Sequence, residues 1–154
     1  MENVRMLSSW AVGHREQPGI RRIEVCEAAI NQIWQQLEIG RRYQTPDNTR
    51  HAEFEIADIN DQRILIAPQN IHINRRAFVA TLDFLRSNNH SEDNPCIIRS
   101  SNDPEFSGRL CAVSRNENDN VRCINYILPI LEEFNVVTTD GNRPNRVWLN
   151  RESF

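Results

Sequence analysis

Val136-Val137-Thr138-Thr139-Asp140-Gly141-Asn142-Arg143-Pro144-Asn145-Arg146-Val147-Trp148-Leu149 follows directly on an apolar-periodic stretch at residues 120–135. Its two β-branched or aromatic runs flank Asp140-Gly141 and Arg143-Pro144. Gly supplies positive φ and Pro sets its own, so the stretch reads as a hairpin with a polar tip. The preceding residues read as a helix with Val121, Ile124, Leu128 and Leu131 as its inner stripe. That leaves Arg122, Asn125, Tyr126 and Pro129 on or near the other side. Pro129 cannot bond the carbonyl of Asn125, so this helix is expected to kink or to be shorter than its pattern.

Upstream, Asn74 is suited to cap a helix that buries Phe78, Val79, Leu82 and Leu85 and stops at Ser87-Asn88-Asn89. Pro95-Cys96-Ile97-Ile98-Arg99 reads as one short strand. Asn102-Asp103-Pro104-Glu105 reads as the opening of a helix containing Leu110, Cys111 and Val113, and residues 116–120 as the polar turn before the next. From residue 74 the order is therefore helix, strand, helix, turn, helix, strand, wing, strand. This order resembles the winged helix-turn-helix superfamily over about the second half of the chain, by succession of elements and without a diagnostic motif. The resemblance implies a DNA-reading helix at 120–135 and a wing at 136–149.

In the first half, apolar residues at Ile23, Cys26, Ile30, Ile33, Trp34 and Leu37 form a helical stripe between Pro18 and Gly40. Residues 41–50 read as a polar connection. Alternating or apolar runs at 51–58 and 63–67, joined through Asn60-Asp61, read as antiparallel strands, with a third short run at 70–73. Residues 1–17, with Trp10 and His14, read as an arm or a short strand. The expected fold class is α+β: an N-terminal helix with a small antiparallel sheet, and a C-terminal winged helix. Regions 1–73 and 74–154 are either two units or one compact one. The long striped helix, with Trp34 as an anchor, together with the usual doubling of contacts by small DNA readers, suggests a homodimer.

At 154 residues, with 39% hydrophobic and 25% charged side chains, the chain can bury a core without staples. No apolar run reaches membrane-span length and residues 1–18 lack a signal-peptide core, which reads as cytoplasmic. Cys26, Cys96, Cys111 and Cys123 are too scattered for a zinc or thioredoxin-like motif and read as small hydrophobes. His51-Ala52-Glu53 with Pro95-Cys96 looks like fragments of a zinc-deaminase signature, but position 99 is Arg where a second close Cys would stand. Glu53, Glu55, Asp58 and Asp61 read as a solvated strand face. No metal, cofactor or catalytic residue is assigned.

All 18 basic Lys/Arg positions are Arg. Without Lys, Schiff-base chemistry and a Walker-type phosphate loop are excluded. The net charge of −3 repels nucleic acid as a whole, so a DNA surface must be a local concentration of Arg. The candidate double-stranded DNA contacts are Arg122 and Asn125 on the helix, with Asn120 before it. Asn142, Arg143, Asn145 and Arg146 are candidates on the wing, and Arg109 and Arg115 are further phosphate ligands. Asn116 and Asn118 are secondary choices in the turn. The expected function is a non-catalytic DNA-binding protein of regulatory or DNA-processing type. The alternative is a protein–protein interaction module on the same scaffold.

Overall fold

The apolar stripe after Pro18-Gly19 folds as α1 (Ile20–Trp34) in the computed structural model, which describes residues 20–103 and 105–150. The arm or strand expected over 1–17 lies outside the described residues. Cys26, Ala29, Ile30 and Ile33 are buried along one side of α1, and Trp34 is only 8% exposed. The Trp34 indole N–H donates to the Asn60 carbonyl at 2.7 Å, its ring meets Phe78 edge-on at 5.2 Å, and the Arg75 guanidinium lies over it at 5.5 Å. Trp34 is therefore a core residue, not the intersubunit anchor its place in the stripe suggested.

Four antiparallel strands follow in meander order: β1 (Arg42–Gln44), β2 (Glu53–Ile59), β3 (Arg63–Ala67) and β4 (Ile71–Asn74). Alternation turns Phe54, Ile56, Ile64, Ile66 and Ile73 inward. β1 lies within the stretch read as a polar connection. Three residues flanked by polar neighbours carry no period, and only pairing of Tyr43 with Phe54 makes them a strand.

The second half is α2 (Arg75–Ser87), β5 (Cys96–Ile97), α3 (Arg109–Asn116), α4 (Ile124–Glu133), β6 (Val137–Asp140) and β7 (Arg146–Leu149). β7 is central, flanked by β5 and β6, and Val147 pairs with both Cys96 and Thr139. One buried cluster extends from Cys26 on α1 to Val147 on β7 and includes the inner faces of both sheets.

Several boundaries differ from the sequence expectation. Asn74 occupies the position before α2 but does not cap it; its Nδ2 donates to the Glu117 carbonyl and to Asp119. α3 starts at Arg109, not near 102–105, because Asp103 uses its carboxylate on the Glu105 amide in a turn. Asp119 and Asn120 take left-handed φ values of 54° and 62°, which breaks the chain direction and delays α4 to Ile124. Asn118, weighed as a phosphate contact, is 2% exposed. Its Oδ1 accepts the Asn74 amide at 2.7 Å and its Nδ2 donates to the His72 and Val121 carbonyls, tying the α3–α4 turn to the β4–α2 junction.

α4 also faces differently. Val121 precedes it and is 43% exposed, while Tyr126 is buried together with Ile124, Ile127, Leu128, Ile130 and Leu131. Pro129 sits inside the helix. Asn135 at φ 59° ends it, and the Val136 amide reaches back to the Leu131 carbonyl at 3.1 Å. No helix among the described residues is long and apolar enough to cross a membrane.

Candidate functional site

Residues 141–145, between β6 and β7, lie against the 45–50 loop of the first half. The Asn48 amide donates to the Gly141 carbonyl at 3.0 Å and the Asn48 side chain to Asn142 Oδ1 at 3.2 Å. The Arg143 guanidinium donates to Asp47 Oδ2 at 2.8 Å, and its Nε to the Thr49 hydroxyl at 3.1 Å. A Cβ on Gly141 would stand 2.1 Å from the Pro46 carbonyl oxygen. Gly141 therefore serves close approach between two loops; it is not among the positive-φ glycines, contrary to the turn expected from the sequence. The Thr49 hydroxyl and amide, with Asn145 and Arg143, hold the Asp47 carboxyl well below the usual carboxylate range.

The docked loops form one wall of a cleft of about 690 Å³. The other wall comes from β5 and the residues after it, Ile97, Arg99 and Ser100, and from Arg122, which precedes α4 and is not on it as expected, with Asn125 and Tyr126 in its first turn. Arg50, Arg99, Arg122 and Arg143 thus converge from four segments, against Asp47 as the one carboxylate lining the cleft among the described residues. Arg143 is the guanidinium that Asp47 engages. Among the described residues Arg50, Arg99 and Arg122 form no ion pair. No side chain caps α4, so the positive end of its backbone dipole adds to the same region.

Arg99 has φ 44°, a left-handed conformation that costs an L-residue about 1–3 kcal/mol. Its carbonyl accepts the Gly108 amide at 3.0 Å, and a Cβ on Gly108 would press on the Arg99 Cβ at 3.0 Å. Two buried acceptor-capable atoms on the cleft lining, Ser100 Oγ and Asn145 Oδ1, have no hydrogen-bond partner among the described residues. Ile97, 44% exposed on β5, and Pro144 supply apolar surface beside them.

Of the residues chosen from the sequence, Arg122, Asn125, Arg143 and Asn145 line this cleft, and Asn142 belongs to the loop contact on its rim. The others lie elsewhere. Arg146, on the central strand, faces Asp140 at 3.7 Å. Arg109 lies over the Phe84 ring at 5.3 Å. Arg115 is 5% exposed and donates to the Ser101 carbonyl, so it supports the backbone after β5 and is no surface phosphate ligand. Asn120 is a left-handed turn residue whose amide bonds the Arg115 carbonyl at 3.0 Å.

Arg50 and Arg99 were not singled out from the sequence. Neither sits in a periodic run, and each meets Arg122 only through tertiary contact between the 45–50 loop, β5 and α4. Much of α4 is covered, with Asn125 and Pro129 half-buried and Glu132 exposed. Tyr126 packs edge-on against Phe54 at 5.2 Å, Glu133 accepts the Tyr43 hydroxyl at 2.6 Å and pairs with Arg41, and Glu132 accepts the Thr139 hydroxyl at 2.8 Å. Burial and the Glu133 contact push the Tyr43 hydroxyl well above its ordinary value, so it remains the donor in this bond. No family model matches the chain, and neither a curated protein nor a solved structure matches it.

Proposed function

We propose that the chain is a non-catalytic DNA-binding protein of regulatory or DNA-processing type, with its second half arranged as a winged helix and the four-arginine cleft as its contact surface. The observation that carries this reading is the convergence of Arg50, Arg99, Arg122 and Arg143 against one carboxylate in a chain of net charge −3. An acidic protein gains nothing for folding by gathering cations in a cleft, whereas a polyanion gains affinity from each. Support for the winged arrangement comes from the order α2, β5, α3, α4, β6, β7 and from the position of β7 between β5 and β6. Phosphate contact falls mainly to Arg50, Arg99 and Arg122, because Arg143 is already engaged by Asp47.

A titration of labelled mixed-sequence DNA at about 50 and 200 mM salt tests the reading. Binding should weaken with salt, and Arg50→Ala, Arg99→Ala and Arg122→Ala should each lower affinity and flatten the salt dependence. Arg146→Ala should leave both unchanged. If the wild-type protein binds no DNA at low ionic strength, the cleft belongs to an acidic protein segment. The partly covered α4, with Glu132 and Glu133 at its far end, favours that second reading.

A further inference from the structure

On the DNA-binding reading just given, we infer that the four-arginine cleft takes a single-stranded segment of about three phosphates and not the groove of a duplex. A helix that lies in a major groove turns its solvent-exposed side to bases and phosphates. In α4 Tyr126 is covered by Phe54, and Glu133 is engaged by Tyr43 and Arg41; the side left open runs over Asn125, Pro129 and Glu132, so that Glu132 and Glu133 would bring negative charge to the phosphates. The wing is not free to reach a neighbouring groove either, since its tip is bonded to Asn48, Asp47 and Thr49.

What remains accessible is a concave site of about 690 Å³. A rigid duplex presents its phosphates on a convex cylinder, while a single strand can turn its phosphates inward and its bases to either side. Three guanidiniums without an ion-pair partner among the described residues, Arg50, Arg99 and Arg122, match the charge of three successive phosphodiesters. The rest of the lining is that of a base site. Ile97 and Pro144 offer apolar faces on which a base can pack.

The test is fluorescence anisotropy of the full chain with a labelled mixed-sequence single strand of about ten nucleotides, the same sequence closed as a hairpin duplex, and unlabelled deoxynucleoside monophosphate as competitor. The single strand should bind at least tenfold more tightly than the duplex. Three phosphate contacts on a single strand give a log–log salt slope near −2, or about a sixteenfold loss between 50 and 200 mM salt. Each of Arg50→Ala, Arg99→Ala and Arg122→Ala should flatten that slope by about 0.7. Equal or tighter duplex binding overturns the inference while leaving DNA binding standing. Competition by the monophosphate at strand-like concentrations overturns the polymer. A slope unchanged in all three variants removes the cleft from either. Absence of binding to every DNA overturns the parent reading instead. The strand-against-duplex comparison needs no variant, so it remains decisive if an arginine replacement disturbs folding.

Discussion

Arg143 and Asp47, separated by 96 positions, meet at 2.8 Å and join the wing to the loop between β1 and β2. The bond makes the two halves share a cleft wall. It also removes Arg143 from the set of free cations and transfers that role to Arg50, Arg99 and Arg122.

The clamp should persist across the whole neutral and mildly acidic range. The folded-state pKa of Asp47 is lowered, first by the Thr49 hydroxyl and amide. A carboxyl lowered on folding contributes stability that is fully present above its unfolded value of about 3.9 and lost as pH falls through the folded one. Carboxyl NMR should therefore show no Asp47 inflection between pH 4 and 8. An inflection above pH 4 would mean that the clamp is not formed.

Gly141→Ala should separate the loops. The added Cβ would meet the Pro46 carbonyl at 2.1 Å, and a backbone oxygen cannot swing aside as a side chain can. A loss of about 1–3 kcal/mol in urea melts is expected, as for other overpacked contacts. Unchanged stability would show that the wing is not seated on the loop.

Leu131 and Asn118 probe two kinds of internal support. Leu131 is fully buried, so Leu131→Ala should cost about 2–5 kcal/mol through the cavity left behind. Asn118→Ala strips partners from the Asn74 amide and from the His72 and Val121 carbonyls, at about 1–3 kcal/mol. Denaturant melts check both, and a loss below about half a kcal/mol, the usual ceiling for surface changes, would contradict the assigned burial.

All four cysteines are buried thiols, with burial pushing the Cys96 thiol up to about 11 and the Cys123 thiol up to about 12. Since the thiolate is the reactive form, a disulfide-exchange reagent at about pH 8 should modify native protein slowly and all four thiols rapidly once denatured. Fast labelling of Cys123 in the folded state would contradict its place between α3 and α4.

Local chemistry was sufficient to read much of the chain. Phe78, Leu82 and Leu85 at helical spacing specified α2, alternation specified β2 and β3, and β-branched runs about Asp140-Gly141 specified β6 and β7, because a helix or strand reveals its buried side by period alone. The α+β class and the exclusion of lysine chemistry followed from the same residues. The cleft was not readable, although Arg122, Asn125, Arg143 and Asn145 in it were. Arg50 and Arg99 lie in aperiodic segments, and polar side chains in loops carry no mark of what they will face. The burial of Tyr126 and Arg115, and the seating of Gly141 on Pro46, likewise arise from contacts between distant segments. Periodicity encodes which side of an element is buried; only the packed chain decides which surfaces meet and which cations remain without a partner.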